Sequence, residues 1–400
     1  MILLDHLTRR RARILRAVQR AGSASQRDLV RATHLSASSV SVLCRQLLAD
    51  GILEVAGTEA NGVGRPLTWL RLAAEVGMAI GLCVSEEKIT AVTIDLQGNV
   101  IAGWSGPLGE CRDNDALITA VTGTVEAALR SEAGGAGPLL GIGIVLSGVV
   151  DHAEGMYRFC GRLPGVRDVP IRALLRAQFG VQVAVDDRAR ALAIAEHRYG
   201  VARGVRDFLY VVADTGVGAG LFLDGRPFRG TRGMAGEIGH LVVDPAGPWC
   251  NCGKRGCLET LAARPAIEHA AQQVRGSLLT PSLPAIAAAA QTGDQLAVSL
   301  LTTAGVHLGQ GIAAALNLFG VELVVLGGPV PCASPLVVEA LRRTTHGQTV
   351  AGINPRIELT TLAADAAARG AATLALDELF ATDDHVLAQS ALNVERAAAS

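Results

Sequence analysis

Near the start of the chain, apolar residues recur three and four positions apart. Ile14, Leu15 and Val18 fall on one face of a helix over residues 7–20, and Arg9, Arg10, Arg11, Arg13 and Arg16 spread around the rest of it. Gly22 ends that helix. Ser25 can cap a short second helix over 26–32 with Leu29 and Val30 inward, and residues 33–35 make a tight turn. Ser36 then caps a third helix over 37–49. In it Val40, Leu43, Leu47 and Leu48 face a core, which leaves Ser38, Ser39, Ser41 and Arg45 outward. Beyond Gly51, residues 52–55 and 67–72 read as two strands joined by a loop containing Gly and Asn, the shape of a wing. The pattern predicts a winged helix-turn-helix over residues 1–72.

The pattern changes at about residue 77. Residues 78–84, 88–95, 100–103 and 139–146 read as strands, and 115–132, 171–179 and 297–319 as helices, an alternation that predicts an α/β fold. Ala-rich runs occur near 285 and 363, and the Ala-rich tail over 381–400 is expected to fray. Half of the 400 residues are hydrophobic, enough for two or three cores. No uninterrupted apolar run reaches the roughly 18 residues that a membrane helix needs. With no secretory pattern at the start either, the expected location is the cytoplasm, with no membrane partner.

Charge sharpens the division. Residues 1–71 hold eleven arginines against five acids, a net of +6, while the remainder holds 25 basic and 32 acidic residues, a net of −7. A basic head on an acidic body suits a DNA-binding module attached to something else. On this reading Arg9, Arg10 and Arg13 meet phosphates, and Ser36, Ser38, Ser39, Ser41 and Arg45 face a groove of double-stranded operator DNA. Arg65, held extended by Pro66, suits a minor groove or a phosphate. A three-helix protein-interaction module with a solvated arginine face is the alternative.

The densest chemistry lies between residues 240 and 257, where His240, Cys250, Cys252 and Cys257 share eighteen positions. Three thiols and an imidazole form one of the usual tetrahedral sets for structural zinc, one ion per chain. Gly253 and Gly256 let the loop fold back on itself. A disulfide or free thiols are the alternatives, the first disfavoured in a reducing compartment. The scattered Cys44, Cys83, Cys111, Cys160 and Cys332 are expected to be buried small hydrophobes.

The same region carries a family resemblance. The stretches 233–240 (GMAGEIGH) and 250–259 (CNCGKRGCLE) resemble the signature of the ROK family of sugar kinases and sugar-responsive repressors. SGVVD at 147–151, LPG at 163–165, TGVGAG at 215–220 and VVLGG at 324–328 agree in order, and Gly64-Arg65-Pro66 resembles an element of the family's repressors. The resemblance implies a two-lobed actin-like, sugar-kinase (ribonuclease H-like) fold over residues 78–380. Lobe one would cover about 78–196 plus the C-terminal helix, and lobe two about 205–364. It also implies that Glu237, His240 and Glu259 contact a sugar, with His240 binding zinc through one ring nitrogen and sugar through the other.

Two departures from the family's kinases stand out. Where they carry DxGGTK at the end of the first strand, this chain has Cys83-Val84-Ser85-Glu86-Glu87-Lys88, so a phosphate cradle is missing. Where they carry an Asn-Asp pair whose Asp is the catalytic base, a gapless comparison places Asp187 and Arg188, and a guanidinium accepts no proton. A one-residue slide would restore Asp187 as the base. Arg188 either favours an anionic effector or pairs internally with Asp186, Asp187 or Glu237.

These features imply a dimer, or dimer of dimers, that represses transcription and carries no catalytic residue. Asp187, Arg188, Glu237, His240 and Glu259 would bind a sugar or sugar-derivative effector. The alternatives are an ATP-dependent sugar kinase with a DNA-binding head, and a constitutive DNA-binding protein whose cleft is empty.

Overall fold

The computed structural model describes residues 9–59, 67–131, 137–275 and 281–381. The head comprises α1 (Arg9–Ala21), β1 (Ala24–Ser25), α2 (Gln26–Thr33), α3 (Ala37–Ala49), β2 (Leu53–Glu59) and β3 (Leu67–Leu72), its strands ordered β1-β3-β2. Ser25 Oγ accepts from the Asp28 amide and the Asp28 carboxylate accepts from the Ser25 amide, a reciprocal cap that starts α2. His34, at a left-handed φ of 53°, turns the chain into α3, which Ser36 caps through the Ser39 amide. Ile14, Leu15, Val18, Leu29, Val40, Cys44 and Leu47 are buried together. The three helices and the wing are thus those expected, except that β2 runs on to Glu59, because its pairing with β3 continues to Glu59 opposite Leu67. Gly64, Arg65 and Pro66 lie outside the described residues, as do residues 382–400 of the expected tail.

In the first lobe β4 (Met78–Val84), β5 (Lys88–Asp95) and β6 (Val100–Pro107) form an antiparallel meander, β6 running four residues past its expected end. Helix α4 (Asn114–Arg130) leads to β7 (Leu139–Leu146), parallel to β4. A small sheet of β8 (Val149–Asp151), β9 (Met156–Phe159) and β10 (Arg167–Val169) follows, then α5 (Ile171–Phe179). Strand β11 (Gln182–Asp187) lies parallel to β7 and runs directly into α6 (Arg188–Tyr199).

The second lobe repeats this plan. Its meander is β12 (Phe208–Ala213), β13 (Val217–Leu223) and β14 (Arg226–Phe228). Helices α7 (Glu259–Ala262), α8 (Arg264–Arg275), α9 (Leu283–Gln291) and α10 (Gln295–Phe319) precede β15 (Leu323–Gly327). After α11 (Pro329–Ala333) and α12 (Pro335–Gln348), β16 (Arg356–Leu359) completes the sheet. The orders β11-β7-β4-β5-β6 and β14-β13-β12-β15-β16 are the same topology twice, a meander extended by two parallel strands. This is the two-lobed actin-like plan.

Helix α13 (Ala366–Leu379) returns to the first sheet. A Cβ on Gly143 would stand 1.8 Å from the Ala371 carbonyl oxygen, and one on Gly370 would stand 2.0 Å from that of Ala191. Only glycine permits such approach, so α13 is wedged backbone-close between the sheet and α6. Helix α10 is long and apolar enough to cross a membrane by length and composition, but Leu301, Leu308, Ile312 and Leu316 bury it in the second lobe's core.

Candidate functional site

The cysteine loop is built by backbone hydrogen bonds. Val242 and Cys257 pair across an isolated bridge, the Cys250 amide donates to the Lys254 carbonyl over 2.7 Å, and the Gly253 amide donates to the Cys250 carbonyl over 2.9 Å. Gly256 has a φ of 68°, and a Cβ there would collide with the Asp244 carbonyl oxygen at 1.5 Å. The donor atoms of His240, Cys250, Cys252 and Cys257 consequently lie within 4.8 Å of one another. His240 Nδ1 is 3.5 Å from Cys250 Sγ, and Cys252 Sγ is 3.6 Å from Cys257 Sγ. A tetrahedral ion with sulfur at about 2.3 Å and nitrogen at about 2.0 Å holds its ligands roughly 3.5 to 3.8 Å apart, so the set fits such a metal. Burial pushes the Cys250 and Cys257 thiols up, a cost that a bound cation reverses by holding thiolates.

The other ring nitrogen faces Glu237. His240 Nε2 is 3.8 Å from Glu237 Oε2, and Glu259 Oε1 reaches back to 3.5 Å from His240 Nδ1 and 3.1 Å from Cys250 Sγ. The structure therefore brings Glu237, His240 and Glu259 together. Asp187 joins them at the N-terminus of α6, where its Oδ1 accepts from the Arg190 amide over 2.9 Å and its Oδ2 pairs with the Arg190 guanidinium.

Arg190 is the organising residue that the sequence reading passed over. It is 1% exposed, bonds Asp186 Oδ1 over 2.6 Å, and donates to the carbonyls of Gly233 (2.9 Å) and Ala235 (3.1 Å). It thereby ties the loop bearing Glu237 to α6. Asp186 also accepts from Arg229 Nε over 2.9 Å; burial alone would raise its pKa, but Arg229 and Arg190 hold it well below the carboxylate range. Asp187 moves the other way, because burial and the negative Asp186 outweigh Arg190. Burial likewise raises Glu237. An arginine three positions after an N-capping Asp, inside an otherwise apolar helix, was the available signal.

The turn after β4 closes on itself. The Ser85 amide and Oγ both donate to the Lys88 carbonyl over 2.9 Å, the Lys88 amide donates to Ser85 Oγ over 3.2 Å, and the Leu108 amide donates to the Glu87 carbonyl over 3.1 Å. The amides of Ser85 and Lys88 are spent inside the turn. Residues 214–216 form the tight end of the β12–β13 hairpin, whose Thr215 carbonyl accepts from Arg162. Arg188 donates from Nη2 to Asp214 Oδ2 over 3.0 Å, with Cys83 and Glu86 also close by. The internal partner of Arg188 is thus Asp214, rather than Asp186, Asp187 or Glu237, because the hairpin turn faces it while Arg190 holds both Asp side chains. Arg264 extends the chain of charges, with Asp214 at 3.6 Å and Glu87 at 2.9 Å.

On the head, Ser38 and Arg45 lie exposed on α3, and Ser39 and Ser41 are half-exposed. Ser36, Ser38 and Ser39 share a hydroxyl cluster, Ser36 to Ser38 at 3.0 Å and Ser36 to Ser39 at 2.9 Å. Val42 was missed: it is 50% exposed on the same face, an apolar group suited to a thymine methyl. Arg9 and Arg10 are exposed, whereas Arg13 donates to the Thr33 carbonyl and Arg11 pairs with Asp50 at 3.2 Å. Part of the arginine-rich helix therefore braces the head.

Residues 79–378 match the ROK family, and residues 7–62 match the MarR family. The DNA-binding transcriptional dual regulator NagC of Escherichia coli (strain K12) is 30% identical over 346 residues, covering 85% of each chain. The crystal structure of a ROK family transcriptional regulator, a homologue of the E. coli MLC protein, superposes with a TM-score of 0.78 at 24% identity, over 92% of this chain and 96% of that one. The ROK hexokinase of Thermus thermophilus superposes with a TM-score of 0.65 at 34% identity, over 76% of this chain and 99% of its own.

Proposed function

This chain belongs to the ROK family, and we propose that within it the protein is a sugar-responsive, DNA-binding transcriptional repressor whose kinase-like cleft transfers no phosphate. The observation that carries the proposal is the pairing of Arg188 with Asp214, a fixed ion pair where proton abstraction would need a free carboxylate. The amides of Ser85 and Lys88 are consumed within the turn after β4, and Glu87 points its carboxylate at Arg264. We divide the chain into a DNA-binding head over 1–72 and an effector body over 78–380, with lobe one at about 78–196 plus α13 and lobe two at about 205–364.

In this reading the effector is a neutral sugar or amino sugar. Asp187, Glu237 and Glu259 supply acceptors for hydroxyl or amino hydrogens, and His240 Nε2 adds a directed ring nitrogen. Arg188, neutralised by Asp214, gives an anionic effector little to bind. His240, Cys250, Cys252 and Cys257 would hold one zinc ion, which supplies a rigid cross-link that aims the imidazole. The head, with Ser36, Ser38, Ser39, Ser41, Val42 and Arg45 toward the major groove and Arg9, Arg10 and Arg65 toward phosphates or the minor groove, binds operator DNA as a cytoplasmic homodimer.

The second reading, a sugar kinase with a DNA-binding head, draws on the 34% identity to a hexokinase. A thermal-shift screen of the full chain separates the two. A repressor is stabilised by neutral sugars and unaffected by Mg-ATP, whereas a kinase responds to both.

A further inference from the structure

Helix α6 touches the second lobe with one end and the head with the other. At its N-terminus, Arg188 bonds Asp214 over 3.0 Å and Arg190 grips the carbonyls of Gly233 and Ala235. At its C-terminus, Arg198 donates through Nη1 to the Gln19 carbonyl in the last turn of α1, and through Nη2 to Asp377 Oδ1 over 2.8 Å. The next residue opens a second route. Tyr199 shares a 2.8 Å hydrogen bond with Thr373 and lies 3.5 Å beneath the Arg369 guanidinium, which itself donates to the Gly98 carbonyl over 2.8 Å. Beside Gly98, Gln97 Nε2 donates to the Leu72 carbonyl over 2.9 Å and to Glu54 Oε1 over 3.3 Å, both in the wing.

Between its ends α6 is stiff. Twelve helical residues span about 18 Å. Every residue from Ala189 to Glu196 is buried, so displacement at one end moves the other. We propose that α6 is the mechanical link from cleft to head, with Arg198 and Gln97 as the positioning residues that set the attitude of α1 and the wing. The inference deepens the repressor reading and rests on it for its biological use. Contact with Asp187 or the Glu237 loop shifts the first turn of α6, and the two routes pass that shift to the two halves of the head.

The test needs neither effector nor operator. Amide hydrogen exchange is followed on the full chain for wild type, Asp214→Asn, Arg198→Met, Gln97→Ala and the double variant Asp214→Asn/Arg198→Met. Arg206→Ala, which breaks an exposed pair with Asp224, serves as the control. Releasing Arg188 with Asp214→Asn should speed exchange in residues 14–25 about threefold or more, although the substitution lies in the cleft. In the Arg198→Met background the same change should add little there. Gln97→Ala should loosen residues 67–72 and leave residues 14–25 near wild type, and Arg206→Ala should alter neither. Unchanged head exchange in Asp214→Asn, or equal increments with and without Arg198, would overturn the link. A sugar screen that found no ligand would count against the repressor reading and leave this result standing.

Discussion

Arg188 Nη2 meets Asp214 Oδ2 at 3.0 Å, joining the first residue of α6 to the hairpin turn of the second lobe. Both side chains are about one-fifth to one-quarter exposed, so the pair is partly desolvated and contributes more than a surface pair. Arg188→Asp would set two carboxylates face to face and should cost on the order of 1–3 kcal/mol of stability. It should not create a kinase, since the Ser85 and Lys88 amides still bond within their own turn. Thermal unfolding, together with an assay for sugar phosphate, checks both halves of this expectation.

Protein purified without added metal should contain about one zinc per chain. Cys252→Ala removes the most exposed of the three thiol ligands and should lower zinc content and the unfolding temperature together. Metal analysis that finds full zinc in the variant would contradict the assigned ligand set.

For the head, affinity for DNA should fall steeply with salt. Ser38→Ala, Val42→Ala and Arg45→Ala should change which sequences are enriched from a random duplex library. Arg13→Ala should instead lower the stability of the head, because Arg13 holds the Thr33 carbonyl. Sequence preference altered by Arg13→Ala alone would reverse these roles.

Glu378 gives a pH signature. Burial, opposed by Arg172 and Arg229, pushes its carboxyl up to about 7, and its Oε1 accepts no hydrogen bond although His152 Nε2 stands 3.7 Å away. A carboxyl whose folded pKa lies above its unfolded value contributes stability that is fully present at acid pH and lost as pH rises toward about 7. Glu378→Gln should therefore stabilise the protein at pH 8, by an amount on the order of 1–3 kcal/mol, and by progressively less toward pH 5. Equal effects at both pH values would refute the buried-acid account. His152, lowered to about 4 mainly by burial and by Arg229, acts oppositely and destabilises the fold as pH falls below about 6.5.

The elements were largely legible in the sequence because apolar periodicity and capping residues are local signals. Ser25, Ser36 and Gly22 mark helix boundaries that the structure reproduces. The Cys3His cluster was legible because its four residues crowd one stretch of chain. What escaped were particular pairings between distant segments: Asp214 with Arg188, Arg162 with Thr215, and Arg198 with Gln19. A charged residue announces its need for a partner, but only the fold brings that partner within reach. Val42 escaped because an apolar residue on an outward helix face carries no polar signal of its own.

In the proposed repressor, sugar binding is read out as DNA binding and not as phosphate transfer. The most direct measurement is the affinity of the full chain for a duplex it has itself enriched from a random library. It is made with and without D-glucose, D-xylose and N-acetyl-D-glucosamine, in the presence of Mg-ATP, with sugar phosphate assayed in the same samples. At least one sugar should weaken DNA binding severalfold while no sugar phosphate forms. DNA affinity indifferent to every sugar, or ATP-dependent appearance of a sugar phosphate, would contradict it.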